Sequence, residues 1–368
     1  MHVGYAPVFQ NPENRLPDTE VYREEVRLAE MAEPMGFDSI WSVEHHFTDY
    51  TMCPDVVQFL TYMAGKTRNV KLGTMVIVLP WHDPMRVAEQ ISLLDHLSGG
   101  RMILGLGRGL GNIEFEGFRI DQGTGRQRFV EYAELLIEGL ECGFLEGGDT
   151  LNQPRRDIRP FPFKSFKGRT YAAAVSPESM PIMAKLGIGL LVIPQKPWDV
   201  VRQDFAIYRD VFLNTNGCEP PQPLCGGFYF VDEDQDRAEE MAYKWIGRYY
   251  HSAMKHYEMT SEKFGSHEGY EFYKNVGKYI ERHGLDGAAE DFVKLMPWGT
   301  PEQVLEKIAY MRDQVDMNGI MGNFSYAGMP YLEAERNMRC FAQHVLPELK
   351  KWDTNPLVEP APLEICAA

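Results

Sequence analysis

The sequence is short of positive charge. Its 368 residues carry 37 lysines and arginines against 53 aspartates and glutamates, a net charge of −16 at neutral pH. That balance provides no basic face for nucleic-acid phosphates, and no nucleic-acid partner is expected. There is no run of about 18 apolar residues, so no membrane-spanning helix is expected. There is no Cys-x-x-Cys pair. Cys53, Cys142, Cys218, Cys225, Cys340 and Cys366 are scattered, which argues against a structural zinc site or a disulfide framework and makes a reducing cytoplasm the default. The opening Met1-His2-Val3-Gly4-Tyr5 lacks a charged-then-apolar leader and reads as a strand. No repeat of fixed period and no low-complexity linker interrupts the chain. Residues 1–350 are therefore read as one domain, with 351–368 as a loose, Pro/Ala-rich tail.

Apolar residues make up 44% of the chain, enough for a large core. Short apolar runs at 3–8, 37–43, 70–79, 102–106, 170–175, 188–193, 226–231 and 319–325 read as strands. Most are separated by helical patterns. Pro84 opens one helix, with Val87, Ile91 and Leu94 as its stripe and Gly99-Gly100 as its stop. Thr300-Pro301-Glu302-Gln303 has the form of a capping box. Alternation of this kind predicts an α/β fold with a parallel sheet, and eight units predict a closed (β/α)8 TIM barrel. Two stretches fall outside the alternation and read as insertions. Residues 145–168 are irregular. Residues 250–298 show no clear strand but hold Tyr257, Phe264, Tyr270, Phe272, Tyr273 and Tyr279.

Chemistry in such a barrel belongs at the carboxyl ends of the strands. Glu44-His45-His46 follows the second run directly. Successive side chains on extended backbone face opposite ways, so at most one of the two histidines addresses a given centre. The same alternation weakens a metal site built from His45, His46, His82 and Asp83, and none is expected. Gly105-x-Gly107-x-Gly109-x-Gly111 follows the fourth run. It has neither the spacing nor the position of a dinucleotide fingerprint. Its glycines let backbone approach a planar or anionic ligand. Arg108 among them is placed to hold a phosphate, or is a surface arginine on a turn. Ser176 and Ser179 precede a helix, where they form an anion site or an ordinary cap.

Taken in order, Glu44-His45-His46-Phe47, Leu72 to Pro80, Leu93-Leu94-Asp95-His96-Leu97-Ser98-x-Gly100-Arg101, Gly105 to Leu110, Arg126, Ser176 to Ser179 and Trp298 to Glu302 resemble the bacterial luciferase-like family of flavin-dependent monooxygenases, over residues 1 to about 350. The resemblance implies a TIM barrel with FMN at its carboxyl-terminal face. It implies that FMN arrives reduced from a separate flavin reductase and captures dioxygen as a peroxyflavin. The oxygenated substrate would be a small apolar aldehyde, ketone, alkane or terpenoid. It makes His45 the catalytic base and puts a non-prolyl cis peptide at Met75–Val76 under the flavin. Arg108, Ser176 and Ser179 become the phosphate contacts. Gly107 stands where bacterial luciferase has a cysteine beside the flavin, so flavin binding is implied but light emission is not. The aromatic stretch at 250–298 would wall the substrate side. The family commonly dimerises, and Met63 and Ile91 are expected on a homodimer surface. The alternatives are a deazaflavin-dependent oxidoreductase and a non-catalytic flavin-binding protein on the same barrel.

Overall fold

The computed structural model describes residues 1–174, 176–259, 270–355 and 357–363. Eight strands form one ring: β1 (His2–Tyr5), β2 (Ser39–Ser42), β3 (Lys71–Thr74), β4 (Met102–Gly107), β5 (Thr170–Ala173), β6 (Gly189–Val192), β7 (Leu224–Phe228) and β8 (Gly319–Asn323). Each pairs in parallel with its neighbours. β1 lies between β2 and β8, and the β3–β4 pairing closes the ring. This is the expected (β/α)8 barrel, and every strand overlaps an expected run, with His2, Gly107, Leu224 and Cys225 falling outside the expected bounds.

Around it run α1 (Asp18–Ala32), α2 (Val56–Lys66), α3 (Pro84–Ser98), α4 (Asn112–Phe118), α5 (Gly125–Cys142), α6 (Met180–Lys185), α7 (Trp198–Asn216), α8 (Gln235–His256), α9 (Glu271–Leu295), α10 (Pro301–Val315) and α11 (Tyr331–Cys340). α3 begins at Pro84. The Asp83 carboxylate accepts from the N–H groups of Met85 and Arg86, at 2.9 and 3.2 Å, so this candidate ligand is a helix cap. At α10 the capping box is present in both directions.

Side chains fill the barrel. Trp41 is fully buried inside it with Tyr171, Leu191 and Met321, and its indole N–H donates to Ser39 Oγ at 2.7 Å. A Cβ on Gly4 or Gly73 would collide with that indole. Glycine in β1 and β3 is what lets one tryptophan occupy the axis.

Several expectations are corrected. The apolar run 70–79 is two strands: β3 ends at Thr74, and Ile77–Val78 pairs separately with Leu106 and Gly107 of β4. Between them the Met75–Val76 peptide is cis, at the position the resemblance implies. The first irregular stretch contains an antiparallel hairpin of Phe144–Gly147 with Gln153–Asp157. The second is largely helical: α8 runs on to His256, and α9 packs against it. Phe264 lies outside the described residues. Trp298–Gly299 pairs with Phe230–Val231, beyond the end of β7. The tail is not loose at 357–363. Leu357 is buried against the amino-terminal end of the barrel, Glu359 pairs with Lys71 at 2.9 Å, and the Ala361 carbonyl accepts from Ser165 N–H. Cys142 is disulfide-bonded, although no spacing in the sequence marks a pair. Met63 and Ile91 are fully buried, so neither is on a partner surface.

Candidate active site

At the carboxyl ends of the strands lies a cavity of about 740 Å³. His45, Met75, Val76, Gly107, Arg108 and Ser179 all line it. Ser176 is not on the lining. It is buried behind it, with its hydroxyl 2.8 Å from that of Ser179. The opposite wall is aromatic: Tyr249, Tyr250, Tyr257, Phe272, Tyr273 and Tyr279 come from α8, α9 and the turn after α8. The expected substrate-side insertion is therefore this helical pair.

His45 is buried, and both ring nitrogens have partners. Nδ1 lies 2.9 Å from Glu114 Oε1 on α4, and Nε2 lies 3.2 Å from the Tyr257 hydroxyl. The same Glu114 oxygen accepts the His46 backbone N–H at 3.0 Å, and His256 Nε2 lies 3.5 Å from it. Burial works to raise the Glu114 pKa, but His45 and His256 outweigh it and hold the carboxyl at about 2. An ionised carboxylate only accepts, so His45 Nδ1 carries the proton and, in the neutral ring, Nε2 accepts from Tyr257. Burial lowers the His256 pKa despite Glu114. The His256 Nδ1 lies 2.8 Å from Thr48 Oγ1, and its ring stacks on Tyr50 at 4.6 Å.

His46 turns the other way, as alternation requires. Its Nε2 lies 3.0 Å from Glu44 Oε1, which also meets His82 Nε2 at 2.6 Å, while Oε2 accepts from Val78 N–H at 2.8 Å. Burial opposes ionisation of Glu44, but its contacts with the two histidines and Val78 win and lower its pKa. Glu44 thus ties the β2 loop to the segment after the cis peptide.

The glycine run forms the floor. A Cβ on Gly107 would strike the Val76 side chain, and one on Gly109, at φ +84°, would crowd Val78. Arg108 stacks over the Tyr270 ring, 4.0 Å from its centroid, and the Tyr270 hydroxyl donates to the Gly109 carbonyl at 3.2 Å. Arg126 lines the same end of the cavity. A bare floor beside two guanidinium groups and a serine hydroxyl suits a flat, phosphorylated ligand such as a flavin mononucleotide.

The sequence expectation omits Glu114 and His256, and it places Tyr257 in the aromatic wall without its contact to His45. They come from α4, the end of α8 and the turn after it. Glu114 is 69 residues from His45, and no local spacing marks it. Among the described residues, His45, Glu114 and His256 are also the one grouping of donors close enough to hold a metal ion, with their atoms within 4.8 Å of one another. It differs from the His45, His46, His82 and Asp83 set weighed from sequence.

Comparison with known proteins places this geometry. The chain is 25% identical over 353 residues to the alkanal monooxygenase alpha chain of Photorhabdus luminescens, covering 95% of this chain and 97% of that one. The monooxygenase RslO1 from Streptomyces bottropensis superposes with a TM-score of 0.74 at 25% identity, over 95% of this chain and all of that one. The oxygenating constituent of 3,6-diketocamphane monooxygenase from Pseudomonas putida, solved in complex with FMN, shares the fold with a TM-score of 0.72 at 16% identity, over 95% and 99%. The profile described as luciferase-like monooxygenase matches residues 1–316. By that match, which spans most of its length, the chain belongs to the luciferase-like monooxygenase family.

Proposed function

We propose that the chain is an FMN-dependent monooxygenase that oxygenates a small apolar organic compound, of the aldehyde, ketone, alkane or terpenoid class, with dioxygen. The observation that carries this reading is the convergence of His45, Met75, Val76, Gly107, Arg108 and Ser179 on one largely apolar cavity. The FMN in the diketocamphane enzyme, a protein of the same fold, supports the choice of flavin.

Reduced FMN, delivered by a separate flavin reductase, supplies the activation of dioxygen when bound. This chain's residues do the rest. Arg108 and Ser179 hold the phosphate, with Ser176 supporting Ser179 from behind. Met75, Val76 and Gly107 bound the ring site. The aromatic wall of α8 and α9 keeps bulk water from the reacting centre and accepts an apolar substrate. His45, oriented by Glu114, is the base. A two-fold homodimer belongs to the same reading. Tyr62 on α2 with Leu93 and Leu97 on α3, each about half exposed, supports a partner surface there.

The test is turnover of the purified chain with FMN, a flavin reductase and ¹⁸O₂ against a panel of ketones, aldehydes and terpenes. One oxygen-18 atom in a product supports the reading. Flavin oxidation with no labelled product from any substrate contradicts it.

A further inference from the structure

We propose that Tyr257 is a catalytic residue: its hydroxyl, and not the His45 ring, touches the reacting atom and passes protons between that atom and His45 Nε2. The proposal rests on the monooxygenase reading and adds a residue to it.

The geometry leaves His45 no free nitrogen. Nδ1 is held by Glu114 at 2.9 Å and Nε2 faces the Tyr257 hydroxyl at 3.2 Å. A ligand that engaged Nε2 directly would have to displace the half-buried Tyr257 hydroxyl. Tyr257 itself lines the cavity. Its ring packs edge-on against Tyr50, 5.7 Å between centroids, and the Tyr50 hydroxyl lies 2.6 Å from that of Tyr249. Tyr257, His45 and Glu114 therefore form a hydrogen-bonded chain that ends on a carboxylate. Such chains polarise along their length.

The proton balance is simple. When an acidic ligand atom loses its proton, the ligand X–H bond breaks and a new Tyr257 O–H bond forms, with the electron pair staying on X. The original phenolic proton moves to His45 Nε2, and the imidazolium lies against the Glu114 carboxylate. Protonation of a ligand anion runs the same steps backwards. Burial pushes the Tyr257 pKa well above that of an ordinary phenol. A free tyrosinate is thus disfavoured and the two transfers are concerted. No oxidant or reductant enters the step.

Tyr257→Phe keeps the ring and removes only the hydroxyl. The proposal predicts three results together. In the cofactor-free protein, the ¹⁵N resonance of His45 Nε2 shifts as its donor is lost. Affinity for reduced FMN stays within about threefold of wild type. Product formation falls roughly 100- to 10,000-fold, the range of a general acid–base contribution, and the double variant with His45→Ala is no slower than the worse single variant. An unchanged Nε2 resonance overturns the proposal, as does turnover within about threefold of wild type. In the second case His45 acts on the ligand directly and the monooxygenase reading stands. A wild type that binds reduced FMN but oxygenates nothing overturns both.

Discussion

Glu114 holds His45 by Nδ1 at 2.9 Å, and the same carboxylate oxygen takes the backbone N–H of His46 at 3.0 Å. One buried charge on α4 therefore fixes the tautomer of the ring and the turn of the loop that carries it. The consequence is a measurable dependence of stability on pH. The Glu114 pKa is depressed from 4.5 to about 2 in the fold, so the unfolded chain binds more protons there. The stabilisation, on the order of 3 kcal/mol, is fully present above about pH 5 and lost as pH falls towards 2. His256, whose pKa is also lowered, acts in the same direction as pH falls through its ordinary range. Urea unfolding between pH 7 and pH 3 should show Glu114→Gln losing less stability on acidification than wild type. Parallel curves for the two proteins would contradict the assignment.

Arg108 is the proposed phosphate anchor. It is held over Tyr270, with Tyr270 hydrogen-bonded to the Gly109 carbonyl. Arg108→Ala should weaken binding of reduced FMN by about 1.5–3 kcal/mol, the range for hydrogen bonds to a charged group. Anaerobic titration reads this directly, and unchanged affinity removes Arg108 from the phosphate site.

Gly107 leaves room for a β-branched neighbour. An alanine there would drive its Cβ into the Val76 side chain, and valine has few rotamers to yield with. Gly107→Ala should destabilise the fold by about 1–3 kcal/mol, as overpacking does, and weaken flavin binding. Thermal melts and flavin titration of the same preparation test both. A wild-type melt with wild-type affinity shows that the floor yields freely.

The proposed homodimer surface is Tyr62, Leu93 and Leu97. Light scattering at micromolar concentration should give twice the chain mass. Leu93→Glu with Leu97→Glu should give the monomer with an unchanged circular dichroism spectrum, because both side chains are solvent-facing in the protomer. A wild-type monomer contradicts the proposal.

Much of this architecture is readable in the chain. All eight strands overlap short apolar runs because a parallel strand is covered on both faces. The Thr300–Gln303 box and Pro84 mark helix starts by local chemistry alone. What escapes is tertiary. Nothing in the apolar run 70–79 says that pairing stops at Thr74 and resumes at Ile77. Ile91 is buried on the stripe its spacing with Val87 and Leu94 marks, Met63 is buried on α2, and Leu357 is buried by docking from a Pro/Ala-rich tail. In the site, the fold fixes where strand ends meet, and the resemblance supplies the roles proposed for the residues there. Glu114, His256 and the contact of Tyr257 with His45 are not legible there, since α4 and the end of α8 reach His45 only once the barrel has closed.

The most direct test of the account compares His45→Ala with His46→Ala in oxygenation coupled to a flavin reductase, counting product and hydrogen peroxide per FMN oxidised. His45 sits on the cavity between Glu114 and Tyr257, whereas His46 is turned onto Glu44. His45→Ala should cut product by ~100- to 10,000-fold, with peroxide rising in its place and FMN affinity within a few-fold of wild type. His46→Ala should cost much less. Near-normal product from His45→Ala, with collapse in His46→Ala, would contradict the assignment of the base.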